Sequence, residues 1–237
     1  SYNNFTNVAE SKTWNISNDP DYFFYCANET VHGLEIHDPI VSNSPVICDM
    51  SSTIASRPID IDKYDLIFAG AQKNLGIAGL TIIIVKNKLL SDSNKQLLPM
   101  FDYSAHAEEA SMLNTSPVFS WYVSGLVFDW ITEQGGVEKM AKLNKEKSDL
   151  LYNYIDRSSF YSNPVSKPYR SWMNIPFILA RHDLEDKFIQ SAEEVGLFNL
   201  KGHRTVGGMR ASVYNAMPIE GIKKLITFMD EFAKLHE

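Results

Sequence analysis

A single lysine, Lys73, stands between two apolar segments, and its surroundings indicate covalent chemistry. Residues 64–70 before it form a short apolar run, and residues 80–85 after it are an almost unbroken β-branched run. Both runs are typical of strands, so we expect Lys73 to lie near the protein interior. An ammonium group that loses hydration gives up its proton more readily, and the neutral amine can then attack a carbonyl carbon and form a Schiff base.

Two simpler interpretations apply to Lys73 and to a second candidate, Asp49. A lysine after a strand commonly lies on a solvated turn, with its stem over apolar surface and its charge in water. Asp49 ends the apolar segment "PVICD", and an aspartate there can simply begin a turn or cap the next helix. Each residue taken alone leaves both interpretations open.

Taken together, Lys73 and Asp49 favour a specific cofactor. The carboxyl ends of parallel strands are where open α/β sheets bind ligands, and both residues follow predicted strands. Pyridoxal phosphate needs a lysine for its aldehyde and a carboxylate that keeps its ring nitrogen protonated. This pair would supply both groups.

Composition and charge limit the class of protein. The chain has 237 residues, of which 44% are hydrophobic, and can bury a core as one large domain or as a large and a small one. The net charge of −7 and the lack of a basic run argue against a nucleic-acid or acidic-membrane surface. No segment resembles a membrane span or a secretion signal, so we expect a cytoplasmic protein.

The two cysteines, Cys26 and Cys48, each end an apolar run. A thiol in that position usually behaves as a small hydrophobic group, so we expect no disulfide framework.

The pattern of apolar residues changes along the chain. Up to about residue 90, short apolar segments joined by polar or glycine-bearing turns predict the buried parallel sheet of an α/β layer. These segments are "YFFYCAN", "PVICDM", "DLIFAGAQ" and "LTIIIVK". Beyond residue 116 we predict helices at 117–136, 137–158, 184–196 and 219–237 and strands at 171–180 and 206–214. The sequence therefore predicts part of a large domain over residues 1–136 and a small α+β domain over residues 137–237.

Five separate motifs occur in order along the chain and carry a family resemblance. They are "CANETVHG", "CDMSSTIASRPID", "AGAQKNLGIAGLTIIIV", "LNTSP" and "KGHRTVGGMRASVYNAMP". Together they closely resemble the phosphoserine aminotransferase family, whose members are fold-type-I enzymes that use pyridoxal phosphate in serine biosynthesis. The resemblance runs from about residue 20 to the C-terminus. It implies an α/β fold with a mainly parallel sheet in the large domain and a small C-terminal α+β domain.

The resemblance implies a role for each of several residues. Lys73 matches the lysine that forms the Schiff base with the cofactor, and Gln72 matches a neighbour that contacts the cofactor. Asp49 matches the acid on the pyridine nitrogen, and Thr30 matches a hydrogen-bond partner of the cofactor.

A further pair implies a homodimer with shared active sites. Asn114 and Thr115 match residues that reach from one subunit to the phosphate of the other subunit's cofactor. No metal is implied.

The substrates implied by the family are acidic, which draws attention to the segment "KGHRTVGGMR". Arg210 matches the residue that holds the substrate α-carboxylate, and a guanidinium can do so with two parallel hydrogen bonds. His203 and Arg204 resemble residues that approach the distal carboxylate of L-glutamate or the phosphate of 3-phosphohydroxypyruvate. The products would be 2-oxoglutarate and O-phospho-L-serine. Without the resemblance, the same segment is a glycine-lined surface loop with solvated charges.

The chain departs from the family pattern at its N-terminus, where a substantial part of the family chain has no counterpart. The missing features are a glycine-containing turn and helix start around the cofactor phosphate, a ring-stacking aromatic residue and further basic residues. We expect a complementary chain, a cleaved product or a truncated form of a longer protein, and weak cofactor binding by this chain alone. The alternatives are another fold-type-I enzyme, such as a cysteine desulfurase or alanine:glyoxylate aminotransferase, or a non-enzymatic remnant that dimerises or acts as a scaffold.

Overall fold

The computed structural model describes residues 5–91 and 97–236. Its strands are β1 (Phe23–Cys26), β2 (Asn28–Glu29), β3 (Leu34–Glu35), β4 (Val46–Asp49), β5 (Leu66–Gly70), β6 (Thr81–Val85), β7 (Tyr161–Ser162), β8 (Asn174–Leu179) and β9 (Met209–Ser212). Its α-helices are α1 (Asn87–Ser91), α2 (Tyr103–Glu108), α3 (Val118–Glu133), α4 (Gly136–Arg157), α5 (Glu185–Glu194) and α6 (Ile219–His236). The strands and helices predicted from the sequence are confirmed.

A four-stranded sheet in the order β1-β4-β5-β6 forms the first half of the fold. Strands β1, β4 and β5 run parallel, as predicted, but β6 is antiparallel to β5. Only residues 71–80 join β5 to β6, and a parallel pairing needs a longer crossover connection. The fold class, α/β with a mainly parallel sheet, is confirmed, although the fourth strand does not share the parallel direction.

Burial in this sheet differs from the prediction at its two edge strands. Strand β6 is half-buried to exposed along its length rather than buried. Cys48, in the central strand β4, is fully buried as expected, but Cys26 at the end of edge strand β1 is exposed. The prediction that Cys26 is a buried hydrophobic group is wrong, because alternation along an edge strand places its side chain on the uncovered face.

The second half of the fold packs helices against a small antiparallel sheet in the order β7-β8-β9. Its hydrophobic cluster contains β8 and the apolar faces of α4, α5 and α6. The spacing of apolar residues in α6 predicts one buried face, formed by Ile219, Ile222, Leu225, Ile226, Met229 and Phe232. Four of them are buried, and Ile219 and Ile226 are half-buried. In the part of the chain that the structure describes, no helix is both long enough and apolar enough to cross a bilayer.

Helix α4 connects the two hydrophobic clusters. Gly135, with a φ of +97°, separates α3 from α4 and allows the chain to turn. Met140, in the first turns of α4, packs in the cluster of the parallel sheet, whereas Leu151 packs in the cluster of the antiparallel sheet. We keep the division into residues 1–136 and 137–237 as a proposal.

Candidate active site

The structure brings Asp49 and Lys73 to the same edge of the parallel sheet. Asp49 ends β4, and Lys73 lies in the turn that follows β5, its parallel neighbour. Cys26, at the end of β1, is the register partner of Asp49. Partial loss of solvent and then the charge of Asp49 raise the pKa of Cys26, while Lys73 acts in the opposite direction. The thiol of Cys26 at this sheet edge is therefore influenced by both charges.

Asp49 uses only part of its hydrogen-bonding capacity. Its Oδ1 atom accepts the N–H of Ser51 at 2.8 Å, so the turn-forming role that the sequence allowed is real. The other oxygen has no hydrogen-bond partner in the described residues. Ser51 in turn accepts the N–H of Gly70 at 3.0 Å and ties the segment after Asp49 to the end of β5. The half-buried carboxylate is therefore fixed in position with one oxygen available.

Lys73 is half-buried, so its exposure is intermediate between the interior position and the solvated turn that the sequence allowed. Its turn is closed by hydrogen bonds from Ala71 N to Leu80 O, at 2.9 Å, and from Leu75 N to Ala71 O, at 3.0 Å. Within the ranges described, Lys73 makes neither a hydrogen bond nor a salt bridge. Its amine is thus held at the sheet edge without a partner.

Gln72 is exposed, and its side-chain amide folds back over the end of β5. A Cβ atom at Gly70 would lie 2.6 Å from Gln72 Oε1, so a side chain there would displace this exposed amide. The amide therefore lies beside the turn of Lys73, in keeping with its predicted contact role.

Arg210 and Thr30 meet next to this edge. Arg210 lies on β9, as predicted, and its Nη1 atom donates to the carbonyl oxygen of Thr30 at 3.1 Å. Thr30 follows β2 in the segment that leaves the end of β1. The Nε atom of Arg210 is buried and has no hydrogen-bond partner among the described residues. A buried unpaired donor on a guanidinium is costly, and an anionic ligand would satisfy it.

His203 and Arg204 lie on an exposed turn between α5 and β9. The turn is closed by a hydrogen bond from Gly202 N to Gly208 O at 2.8 Å, and a Cβ atom at Gly202 would lie 2.1 Å from the carbonyl oxygen of Gly207. His203 hydrogen-bonds only locally, to Thr205 Oγ1 at 2.8 Å. The structure places both basic residues on the loop that leads into the strand of Arg210.

Asn114 and Thr115 lie in the segment between α2 and α3. Both are exposed just before α3, and Asn114 Nδ2 donates to Thr115 O at 3.2 Å. Asn114 lines a cavity of about 710 Å³ between β6 and α3, and no other predicted site residue lines it. Their predicted role across a subunit interface stays a prediction.

Sequence reasoning missed a group of buried polar residues behind the site. They are Asn28, Asn74, Asn144, Lys147, Asn174 and Asn215. Two of them had a detectable signal, because Asn144 and Lys147 share one helical face of α4 with the buried Met140, Leu151 and Ile155. The others lie in short motifs whose spacing does not reveal which side chains point inward.

The donor set at the sheet edge fits pyridoxal phosphate. An unpaired amine on the turn after one strand and a carboxylate with a free oxygen on the neighbouring strand match the cofactor's aldehyde and ring nitrogen. Lys73 and Asp49 would hold it, with Gln72 and Thr30 beside them. The fold and this pair define the class of fold-type-I enzymes that depend on pyridoxal phosphate.

The comparisons with known proteins agree with this class. The family model for aminotransferase class-V matches residues 3–225, and the chain belongs to this family. A phosphoserine aminotransferase from Acinetobacter baumannii is 51% identical over 227 residues, which cover 96% of this chain and 63% of that protein.

Two solved structures have the same fold at 39% sequence identity. A phosphoserine aminotransferase from Bacillus circulans subsp. alkalophilus superposes with a TM-score of 0.95 over 99% of this chain and 65% of its own. A phosphoserine aminotransferase from Trichomonas vaginalis with bound pyridoxal phosphate gives a TM-score of 0.90 over 95% of this chain and 64% of its own. The chain thus spans somewhat less than two thirds of the length of these relatives.

Proposed function

We propose that this chain is the catalytic and substrate-binding part of a phosphoserine aminotransferase of serine biosynthesis. The reaction transfers the amino group of L-glutamate to 3-phosphohydroxypyruvate and gives 2-oxoglutarate and O-phospho-L-serine. The observation that carries the proposal is the pair of Lys73 and Asp49 at one edge of the parallel sheet, with Arg210 bonded to Thr30 in the segment that follows β1. The names of relatives at about half sequence identity support the same reaction.

The chemistry divides between the cofactor and three side chains. Pyridoxal phosphate supplies an electron sink for the carbanion that forms when the substrate α-carbon loses its proton. The Nζ atom of Lys73 takes that proton as a base and later returns a proton as an acid. Asp49 holds a proton on the ring nitrogen through its free oxygen. Arg210 holds the substrate α-carboxylate and so orients the bond to the α-proton.

Both substrates carry at least two anionic groups, and the protein has a net charge of −7. Local positive charge must therefore offset the overall repulsion. Arg210 supplies it at the α-carboxylate, and we assign His203 and Arg204 to the distal carboxylate or phosphate. Their exposed loop leads into the strand of Arg210, which supports this assignment.

The test uses the chain joined to the N-terminal segment of the Acinetobacter baumannii relative, hereafter the completed protein. We expect it to form phosphoserine from L-glutamate and 3-phosphohydroxypyruvate. A coupled assay that detects the co-product 2-oxoglutarate measures the rate. A preference for glyoxylate as acceptor, or for cysteine as substrate, would favour another fold-type-I enzyme. If neither the chain alone nor the completed protein binds pyridoxal phosphate, a non-catalytic remnant or scaffold is favoured.

Arg210→Lys in the completed protein should raise the KM for L-glutamate about 10- to 100-fold, with a smaller effect on kcat. Lysine keeps the charge but loses the two-pronged donor geometry, and a charged hydrogen bond contributes about 1.5–3 kcal/mol. Initial-rate kinetics at varied glutamate measure the change. The matched control is Arg181→Lys, because Arg181 is an exposed arginine that pairs with Asp183. Equal KM values for both variants would remove Arg210 from substrate binding.

We further propose that the active form is a homodimer with shared sites. Asn114 and Thr115 would reach the cofactor phosphate of the other subunit. The exposed apolar residues that follow them on α3, which include Val118, Phe119 and Tyr122, would lie at the interface. Since the chain spans 63% of its relative, a complementary N-terminal segment, in the same or a second chain, would complete each subunit.

Mixing two defective variants tests this arrangement: Asn114→Ala/Thr115→Ala should weaken cofactor binding and dimer stability, and Lys73→Ala should be inactive. The heterodimer pairs the Asn114→Ala/Thr115→Ala chain with the Lys73→Ala chain. The site that keeps Lys73 receives Asn114 and Thr115 from the other chain and is intact. The second site carries both lesions. About half of the wild-type activity per dimer should therefore return, since independent sites add. Heterodimers isolated with two affinity tags provide the sample. If they form and stay inactive, these two residues do not act across the interface.

We propose a cytoplasmic location without a nucleic-acid or membrane partner. Two free cysteine thiols, one of them exposed, suit a reducing compartment. The negative net charge is unsuited to a nucleic-acid surface. Fractionation of cells that express the tagged protein would test this location directly.

A further inference from the structure

The turn that carries Lys73 is held from behind by the next residue, Asn74. Asn74 is only 4% exposed, and its Oδ1 atom accepts the backbone N–H of Asn215 at 3.1 Å. Its Nδ2 atom donates to the carbonyl oxygen of Ile54 at 3.2 Å. One amide therefore joins the Lys73 turn both to the segment that follows Asp49 and to the loop that follows β9.

Asn215 makes a second connection between the same parts of the fold. Its Nδ2 atom donates to the carbonyl oxygen of Ala55 at 2.9 Å, and its Oδ1 atom accepts from Asn144 Nδ2 at 2.8 Å. Ala55 has a φ of +55°, which a residue with a side chain adopts only when its surroundings enforce it. Asn144 also donates to Ser56 O at 2.9 Å. The segment after Asp49 is thus fixed by buried amides.

Lys147 on α4 holds the loop that contains Asn215. The side chain is 3% exposed, and its Nζ atom lies 3.2 Å from Val213 O, 2.8 Å from Tyr214 O and 3.0 Å from Met217 O. Within residues 5–91 and 97–236, no carboxylate pairs with this ammonium. Burial lowers the pKa of Lys147 to about 8. A buried ammonium surrounded by carbonyl oxygens fixes their positions as a bound cation would.

We propose that Lys147 and Asn74 are positioning residues for Lys73. Lys147 clamps the loop at residues 213–217, and the hydrogen bond from Asn215 to Asn74 carries this restraint to the Lys73 turn. The loop continues from the strand of Arg210, so the clamp fixes the substrate-anchoring guanidinium relative to the proton-transferring amine. Small errors in that relation reduce rates strongly. The catalytic meaning rests on the proposed function, but the structural restraint does not.

Hydrogen exchange of the 237-residue chain tests the restraint without cofactor. In Lys147→Met, which keeps the length of the stem, we expect the hydrogen-bonded amides of Ala71 and Leu75 to exchange at least about tenfold faster. The amides of residues 213–217 should exchange faster as well. The control is Phe188→Leu, because Phe188 is fully buried in the cluster of the antiparallel sheet, whereas Ala71 and Leu75 lie in the cluster of the parallel sheet. The control should destabilise the fold without selective exchange at the Lys73 turn.

Asn74→Ala tests the same connection at the Lys73 turn. It also provides the test if Lys147→Met does not fold. It removes the acceptor of Asn215 N–H, so the amide of residue 215 should exchange faster. Unchanged exchange at Ala71 and Leu75 in Lys147→Met, or an equal increase in the Phe188→Leu control, would overturn the restraint.

The completed protein separates positioning from stability. Here kcat should fall about tenfold or more in both variants, and the KM for glutamate should change less. Faster exchange with an unchanged kcat would overturn the positioning role. A completed wild-type protein without transaminase activity would instead contradict the proposed function, while the exchange data would still decide the restraint.

Discussion

Lys73→Ala abolishes transamination in the completed protein, with an expected loss in kcat of at least about a thousandfold. Alanine removes both the amine that holds the cofactor and the base that moves the α-proton. Single-turnover measurements with L-glutamate would show the loss. Thermal unfolding should be almost unchanged, because Lys73 lies half-buried on a turn and makes neither a hydrogen bond nor a salt bridge within the described residues.

A matched control is Lys142→Ala, since Lys142 is an exposed lysine of α4. This variant should keep wild-type rates. Normal turnover of Lys73→Ala without added amines would remove Lys73 from the mechanism.

Asp49→Asn should reduce kcat about 100- to 1,000-fold while the cofactor is still bound, though more weakly. An amide cannot hold a proton on the ring nitrogen as a carboxylate does. The substitution keeps the Oδ1 acceptor for the N–H of Ser51, so the local turn is preserved. Absorbance titration with pyridoxal phosphate and steady-state kinetics measure the two effects separately.

Asp102→Asn is the control, because Asp102 accepts the N–H of Ser104 at 2.8 Å in the same local geometry. This variant should leave kcat unchanged. If Asp49→Asn is as silent as Asp102→Asn, Asp49 is only a turn residue.

Local patterns were sufficient to predict most elements and the central pair of the site. The runs around β4 and β5 are apolar and short, and residues that follow parallel neighbours must meet at one edge. The direction of β6 follows from the short connection at residues 71–80, because a parallel strand needs a longer one. This length can be read from the sequence, but the prediction of a parallel strand overlooked it. The exposure of Cys26 depends on the position of β1 at the edge of the sheet, and the residues of β1 alone do not reveal that position.

The buried amides behind Lys73 were not predictable for a different reason. Asn74 and Asn215 are far apart in sequence, and an asparagine in a turn usually indicates local turn chemistry. Only the folded chain shows that Asn74 points inward. Lys147 did have a signal, because a charge on an otherwise apolar helical face is unusual.

Chemical trapping on the completed protein tests most directly whether Lys73 is the cofactor lysine. The protein is incubated with pyridoxal phosphate, reduced with borohydride to fix the cofactor on the amine that holds it, digested and mapped by mass spectrometry. We predict one cofactor per chain, on the peptide that contains Lys73, and none in Lys73→Ala. Label spread over exposed lysines, or concentrated on a lysine other than Lys73, would contradict the assignment.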